Sequence, residues 1–144
     1  MEKTFTQNNK NMIVKDVMLT LDRFPVISQT IILKEALDEM NNLRLGIACI
    51  VDGNKKLLGI LTDGDIRRKL IKVQKPLSAL FVDDALDHSI KSPVTSKPED
   101  TLDQALEIME AKQIWDLPVV DNEGILVGLL HLHPVVDALL KSRK

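Results

Sequence analysis

Gly59-Ile60-Leu61-Thr62-Asp63-Gly64-Asp65 is an apolar run that ends in a polar, glycine-containing turn, the pattern of a strand feeding directly into a helix. Sliding the chain against itself by 69 positions lays this stretch on Gly128-Leu129-Leu130-His131-Leu132-His133-Pro134. The match extends without a gap from residues 33–71 onto 102–140, and ten of the 39 pairs are identical. Leu33/Leu102, Ala36/Ala105, Met40/Met109, Gly59/Gly128 and Leu61/Leu130 are among them, and substitutions such as Ile50/Val119 and Ile66/Val135 keep their class. The chain therefore carries two copies of one packing scheme.

Working outward, Leu33, Ala36, Leu37 and Met40 recur at helical spacing, as do Leu102, Ala105, Leu106 and Met109, so each copy opens with an amphipathic helix. Thr101 with Gln104 forms a capping box before the second of these, whereas Ile32 with Glu35 does not. Two β-rich runs follow in each copy, Ile47 to Val51 with Leu57 to Thr62, and Leu117 to Val120 with Ile125 to Leu130. Asp52-Gly53-Asn54 and Asp121-Asn122-Glu123-Gly124 supply the turn residues between them. Helices at Asp63 to Lys72 and Pro134 to Lys141 close the copies, and short β-like segments, Phe24 to Ser28 and Pro93 to Ser96, precede them. The expected fold is α+β, with the order β-α-β-β-α twice. Residues 1–12 read as a polar tail, 13–72 as the first unit, 73–86 as a linker and 87–141 as the second unit. Within the wider stretch from Val73 to Ser92, one helix is expected around Leu77 to Ile90, with Ala79, Val82, Leu86 and Ile90 inward and Asp84 and Asp87 outward.

Composition excludes several classes of function. With 19 Lys plus Arg against 21 Asp plus Glu, the formal charge of −2 gives no footprint for general nucleic-acid binding. An aromatic content of 3% with no Tyr removes the stacking platforms of single-strand binders. Cys49, the one cysteine, lies in an apolar run and reads as a core residue. No stretch approaches a signal peptide or a membrane span, so a cytoplasmic location is expected. No nucleophile–base pair, paired catalytic carboxylates or P-loop is present, so an enzyme is not expected.

Chemistry is concentrated at the strand-to-helix junction, where free N–H groups and the helix dipole favour an anion. Thr62 can offer a hydroxyl to a phosphate, Asp65 can accept from both hydroxyls of a ribose, and Gly64 permits close approach to the backbone. Thr62 and Asp65 equally fit a helix cap with no ligand, and both readings stay open at this point. The second copy has His131 and Pro134 at the matching positions, so it lacks the carboxylate, while Pro suits a first helical turn. His131 and His133 form an H-x-H pair without a third metal ligand at a known spacing, and no metal site is expected. Arg67 and Arg68 read as solvated charges, Trp115 as packed against the sheet, and His88 has no evident partner.

This repeat, with Gly-Ile-Leu-Thr-Asp-Gly-Asp closing its first copy, resembles a cystathionine-β-synthase (CBS) domain pair over about residues 13 to 141. The resemblance implies two βαββα units packed about a pseudo-two-fold axis, with clefts that commonly hold adenosine nucleotides. Val14-Lys15-Asp16-Val17-Met18, the run from Thr62 to Arg68 and the ending Leu130-His131-Leu132-His133 are similar to the C-terminal CBS pair of arabinose-5-phosphate isomerases, enzymes of the route to the lipopolysaccharide sugar Kdo. Their sugar-isomerase domain is absent here, so a regulatory role beside such a domain, attached or as a partner, is expected. The resemblance implies contacts from Thr62, Asp63 and Asp65 to phosphate and ribose, with adenine read by backbone groups at Gly46, Ile47 and Ala48 and by residues near Thr20. His131 is expected to reach a phosphate in the first cleft. The expected ligands are AMP, ADP, ATP or a CMP-sugar, with no required cofactor, and a homodimer through helical faces is the expected assembly. The alternative is a structural, oligomerising module with degenerate clefts.

Overall fold

The structure, a computed structural model, describes residues 12–142. In chain order its elements begin with α1 (Val14–Val17), β1 (Val26–Ser28), α2 (Leu33–Leu43), β2 (Ile47–Val51), β3 (Leu57–Thr62) and α3 (Asp63–Val73). Then come α4 (Leu77–Phe81), a 3-10 turn (Ala85–His88) and β4 (Ile90–Lys91). The chain continues with α5 (Leu102–Lys112), β5 (Asp116–Val120), β6 (Leu126–His131) and α6 (Leu132–Ser142).

The contacts divide these residues into two compact units. Leu21–Pro93 is one, and the other joins the described residues up to Thr20 to those from Val94 onward. Each has its own core. Ile27, Leu33, Ala36, Met40, Ile50 and Leu61 are buried in the first, and Val14, Leu102, Ala105, Met109, Val119 and Leu130 in the second. Identical pairs of the repeat thus occupy equivalent core positions, where each buried Leu contributes about 1.5–3 kcal/mol. Cys49 is fully buried in β2. Arg44 and Gln113 end α2 and α5 in the left-handed conformation, each N–H turning back to Met40 or Met109 respectively. Thr101 and Gln104 form the expected reciprocal cap.

The β2–β3 and β5–β6 hairpins share one register. Ile47 lies opposite Thr62 and Asp116 opposite His131, with an irregularity at Ile50/Val51 in one and at Val119/Val120 in the other. On one side, β1 runs parallel to β2 with Ile27 opposite Ile50. In the second unit this becomes a single bridge from Ser96 to Val119, so the strand expected at Pro93 to Ser96 is reduced to one paired residue. Ser92 has a positive φ and Pro93 lacks an N–H, which limits extension of that strand.

The other side of each sheet is completed by exchange. β4, just before the second copy, pairs antiparallel with β3 of the first, and Leu19, before the first copy, bridges Leu129 of the second. The same crossing places Asp84 against Ile32 and Ile13 against Thr101. The repeated glycine follows from this. A Cβ on Gly59 would lie 2.6 Å from Ser89 Oγ and 2.9 Å from the Ile90 carbonyl oxygen. On Gly128 it would run into Met18 Sδ and lie 2.9 Å from the Leu19 carbonyl oxygen. A paired backbone cannot retreat as a flexible side chain does.

The single helix expected around Leu77 to Ile90 is instead α4, a 3-10 turn and β4. Asp84 is extended between them, since the Asp83 carbonyl accepts from Leu33 N–H and Ala85 N–H donates to the Ile31 carbonyl. These tertiary bonds outcompete helix continuation. Leu80 and Ala85 face inward, while Val82, 66% exposed, and Ile90 do not. His88 does have a partner: Asp83 Oδ2 lies 2.8 Å from its Nε2, and Lys75 Nζ binds both Asp83 oxygens at 2.9–3.0 Å. Hydrogen bonds from Lys75 and His88 hold the Asp83 carboxyl below the usual carboxylate range.

Two outcomes are expected. Gly59→Ala and Gly128→Ala should each lower unfolding stability by about 1–3 kcal/mol in denaturant titrations. Gly53→Ala, where an added Cβ meets nothing within 4 Å, should leave the midpoint nearly unchanged. For Asp83 the folded value is depressed, so its stabilisation is present above the ordinary value of 3.8 and is lost as pH falls through the folded value. Thermal melts should therefore show Asp83→Asn below wild type at neutral pH, with the gap closing under acid; a gap independent of pH would contradict this account.

Candidate functional site

The strand-to-helix junction of the first unit gathers six of the eight expected site residues. Ile47 and Thr62 are cross-strand partners, which sets Gly46 and Ala48 beside the start of α3. Asp63 N–H donates to the Gly46 carbonyl at 3.1 Å, tying the head of β2 to the helix. A Cβ on Gly46 would lie 2.7 Å from Asp63 Oδ2, the far end of an exposed side chain that would have to turn aside.

Thr62 caps α3 in extended backbone, its Oγ1 accepting from Asp65 N–H at 3.2 Å. Its hydroxyl donates to Asp65 Oδ2 at 2.6 Å, and Arg68 Nη2 donates to Asp65 Oδ1 at 2.7 Å. The capping reading of Thr62 and Asp65 is therefore realised. Capping and ligand binding are not exclusive, because a carboxylate oxygen accepts more than one hydrogen bond. Arg68, expected to be only solvated, is an ion-pair partner of Asp65. The signal available in the sequence was its i+3 spacing from Asp65 on a helix.

Thr20 and His131 belong to the other unit. Thr20 is exposed, and His131 Nδ1 lies 2.6 Å from Asp116 Oδ1. Burial pushes the Asp116 carboxyl up, while the hydrogen bond and charge of His131 pull it back. Sequence reading missed this pair, although the 69-residue shift puts Asp116 on Ile47 and His131 on Thr62, which are cross-strand partners. Leu132 N–H donates to the Trp115 carbonyl at 2.9 Å, reproducing the Asp63–Gly46 bond. Trp115, expected against the sheet, is 68% exposed. It occupies the place of Gly46 in the repeat.

His131 ends β6 and His133 lies within α6, so the H-x-H pair straddles two elements. Among the described residues no group of three or more His, Cys, Asp or Glu is placed to hold a metal ion. No helix among them is long and apolar enough to cross a membrane. A depression of about 420 Å³ between β1 and α2 contains none of the expected site residues. Its wall carries Glu35, Asp38 and Glu39, a charge unsuited to a phosphate.

Comparison with known proteins agrees with the duplicated fold. The family model described as "CBS domain" matches residues 14–72 and 82–141. A probable arabinose 5-phosphate isomerase of Haemophilus influenzae is 38% identical over 117 residues, covering 81% of this chain and 33% of that protein. Arabinose 5-phosphate isomerase KdsD of Escherichia coli is 31% identical over 125 residues, covering 87% and 37%. An uncharacterized Helicobacter pylori protein is 36% identical over 135 residues, covering 90% and 38%. The chain thus spans little more than a third of the length of these relatives.

Among solved structures, CBSX2 in complex with AMP superposes with a TM-score of 0.81 at 24% identity, covering 93% of this chain and all of that one. The CBS domain pair of protein MJ0100, in complex with 5′-methylthioadenosine and S-adenosyl-L-methionine, gives 0.76 at 22%, covering 92% and 98%. These likenesses show the fold. The two matched segments cover most of the described residues. With its duplicated hairpins, duplicated helix junctions and exchanged leading segments, the chain belongs to the CBS domain family, as a tandem pair.

Proposed function

We propose that the chain is a regulatory module that takes an adenosine nucleotide or a nucleotide-sugar at the first-copy junction and governs a sugar-phosphate isomerase domain, attached or separate, in the cytoplasm. The observation that carries this reading is the asymmetry between otherwise matching junctions. Both copies tie strand to helix by the same backbone bond, but only the first combines a glycine, a threonine and two carboxylates there. In this reading Gly46, Ile47 and Ala48 present backbone groups to the base, Thr62 and Asp63 face phosphate and ribose, and Asp65 takes the ribose hydroxyls. The AMP and S-adenosyl-L-methionine complexes of the structural neighbours support the ligand class. Likeness to the isomerases supports the choice of regulated enzyme, as part of Kdo synthesis. Regulation requires that the ligand favour one arrangement of the copies.

A second reading has an observation of its own. Both Asp65 oxygens are already engaged, and Ile71 and Leu140 stand exposed on α3 and α6, as they would in a module whose helical faces hold a homodimer together. A thermal-shift series with AMP, ADP, ATP and CMP-linked sugars separates the two. At about a hundred times its dissociation constant a ligand should add roughly 2.7 kcal/mol. Asp65→Ala should abolish that gain while its own hydrogen-bond loss stays near 1 kcal/mol. Failure of every nucleotide to shift the melt would favour the scaffold reading.

A further inference from the structure

Asp65 and Arg68 form an ion pair of unequal partners: the aspartate side chain is 17% exposed and the arginine 66%. The carboxylate is held from behind by the Thr62 hydroxyl at 2.6 Å, while the guanidinium closes its other oxygen at 2.7 Å from the solvent side. The guanidinium also lies across the first turn of α3, since a Cβ on Gly64 would be 3.1 and 3.3 Å from its two terminal nitrogens. Of the two groups, the arginine is the one free to move.

We infer that Arg68 is the specificity-determining residue of this seat, making it select phosphorylated ribonucleosides over bare ones. The inference rests on the nucleotide reading of Thr62 and Asp65. A ribose diol that binds Asp65 must approach the oxygen that Arg68 covers from the solvent side, so the guanidinium has to swing aside to admit it. An exposed ion pair is weak and opens at small cost. What then happens to the guanidinium depends on the ligand. A phosphate attached to the same ribose offers two oxygens in the geometry the planar fork matches, restoring charge-assisted bonds. A bare nucleoside offers only its hydroxyls, and the arginine is left to water. Ion-pair exchange therefore separates the two ligand classes by about tenfold or more. The second copy has no such device, because the position matching Arg68 is Asp137, which pairs with Lys141 at 3.0 Å.

Isothermal titration of the full chain with AMP against adenosine, and CMP against cytidine, tests this. Wild type should bind the monophosphate of the preferred base at least about tenfold more tightly than its nucleoside. Arg68→Ala should erase most of that preference, weakening the monophosphate while leaving the nucleoside equal or tighter, because the Asp65 oxygen is released. Arg68→Lys, which keeps the charge and loses the fork, should fall between them. Circular dichroism melts should show all variants folded, as the side chain is mostly exposed. If monophosphate binding is lost in Asp65→Ala but the preference survives in Arg68→Ala, this inference falls and the nucleotide reading stands. If wild type binds none of the four, both fall.

Discussion

A backbone-to-backbone contact at two glycines organises the rest of the molecule. β3 and β6 each approach a segment delivered from before the opposite copy so closely that a methyl group at Gly59 or Gly128 would collide with a paired carbonyl. The contact covers one margin of each sheet, whose N–H and C=O groups would otherwise stay open to other strands. It also means that residues 12–20 contribute to the core built mainly from residues 94–142. Val14 is fully buried in one core with Leu102, Ala105 and Val135 for this reason, although those residues lie far from it in sequence.

On that frame the two junctions keep one skeleton and carry different chemistry. The bond from the first helical N–H to the carbonyl before the hairpin is the same in both. In the first copy the cross-strand pair is Ile47 with Thr62, so polarity is displaced onto the helix as Asp63 and Asp65. In the second copy the polar pair sits in the sheet itself, as Asp116 with His131, and the helix begins with Leu132. A carboxylate at a helix start is stabilised by the dipole. A carboxylate half-buried in a sheet resists ionisation, and at Asp116 the partner His131 offsets that loss of water only in part. At these junctions the side chains differ while the strand-to-helix backbone bond is shared.

Most of the secondary structure was legible from local pattern. Strands at Ile47–Val51 and Leu57–Thr62 and the start of α3 at Asp63 lie where periodicity and turn residues put them, and the Thr101–Gln104 cap was readable from spacing alone. What escaped has a common cause. The connector looked helical because Leu77 to Ile90 has helical spacing of apolar residues, but Leu33 N–H and the Ile31 carbonyl claim its backbone at Asp83 and Ala85. The pairing of Leu19 with Leu129 joins residues with nearly the whole chain between them, and no window of sequence contains both. At the candidate site Thr62, Asp65 and the glycines were visible as residue types. For Arg68 and Asp116 the i+3 spacing and the 69-residue shift indicated which residues lie near one another, but not that their side chains turn toward one another.

The crossed leaders have a consequence for the history of such pairs. A single copy standing alone would carry a leader that its own sheet has no use for, and a bare margin that only another molecule's leader could fill. Two such molecules trading leaders would satisfy both needs at once, as in domain swapping. Fusion of the two genes would then convert a meeting between chains into one within a chain, freeing each copy to mutate independently. The glycines would remain as the scar of that older partnership.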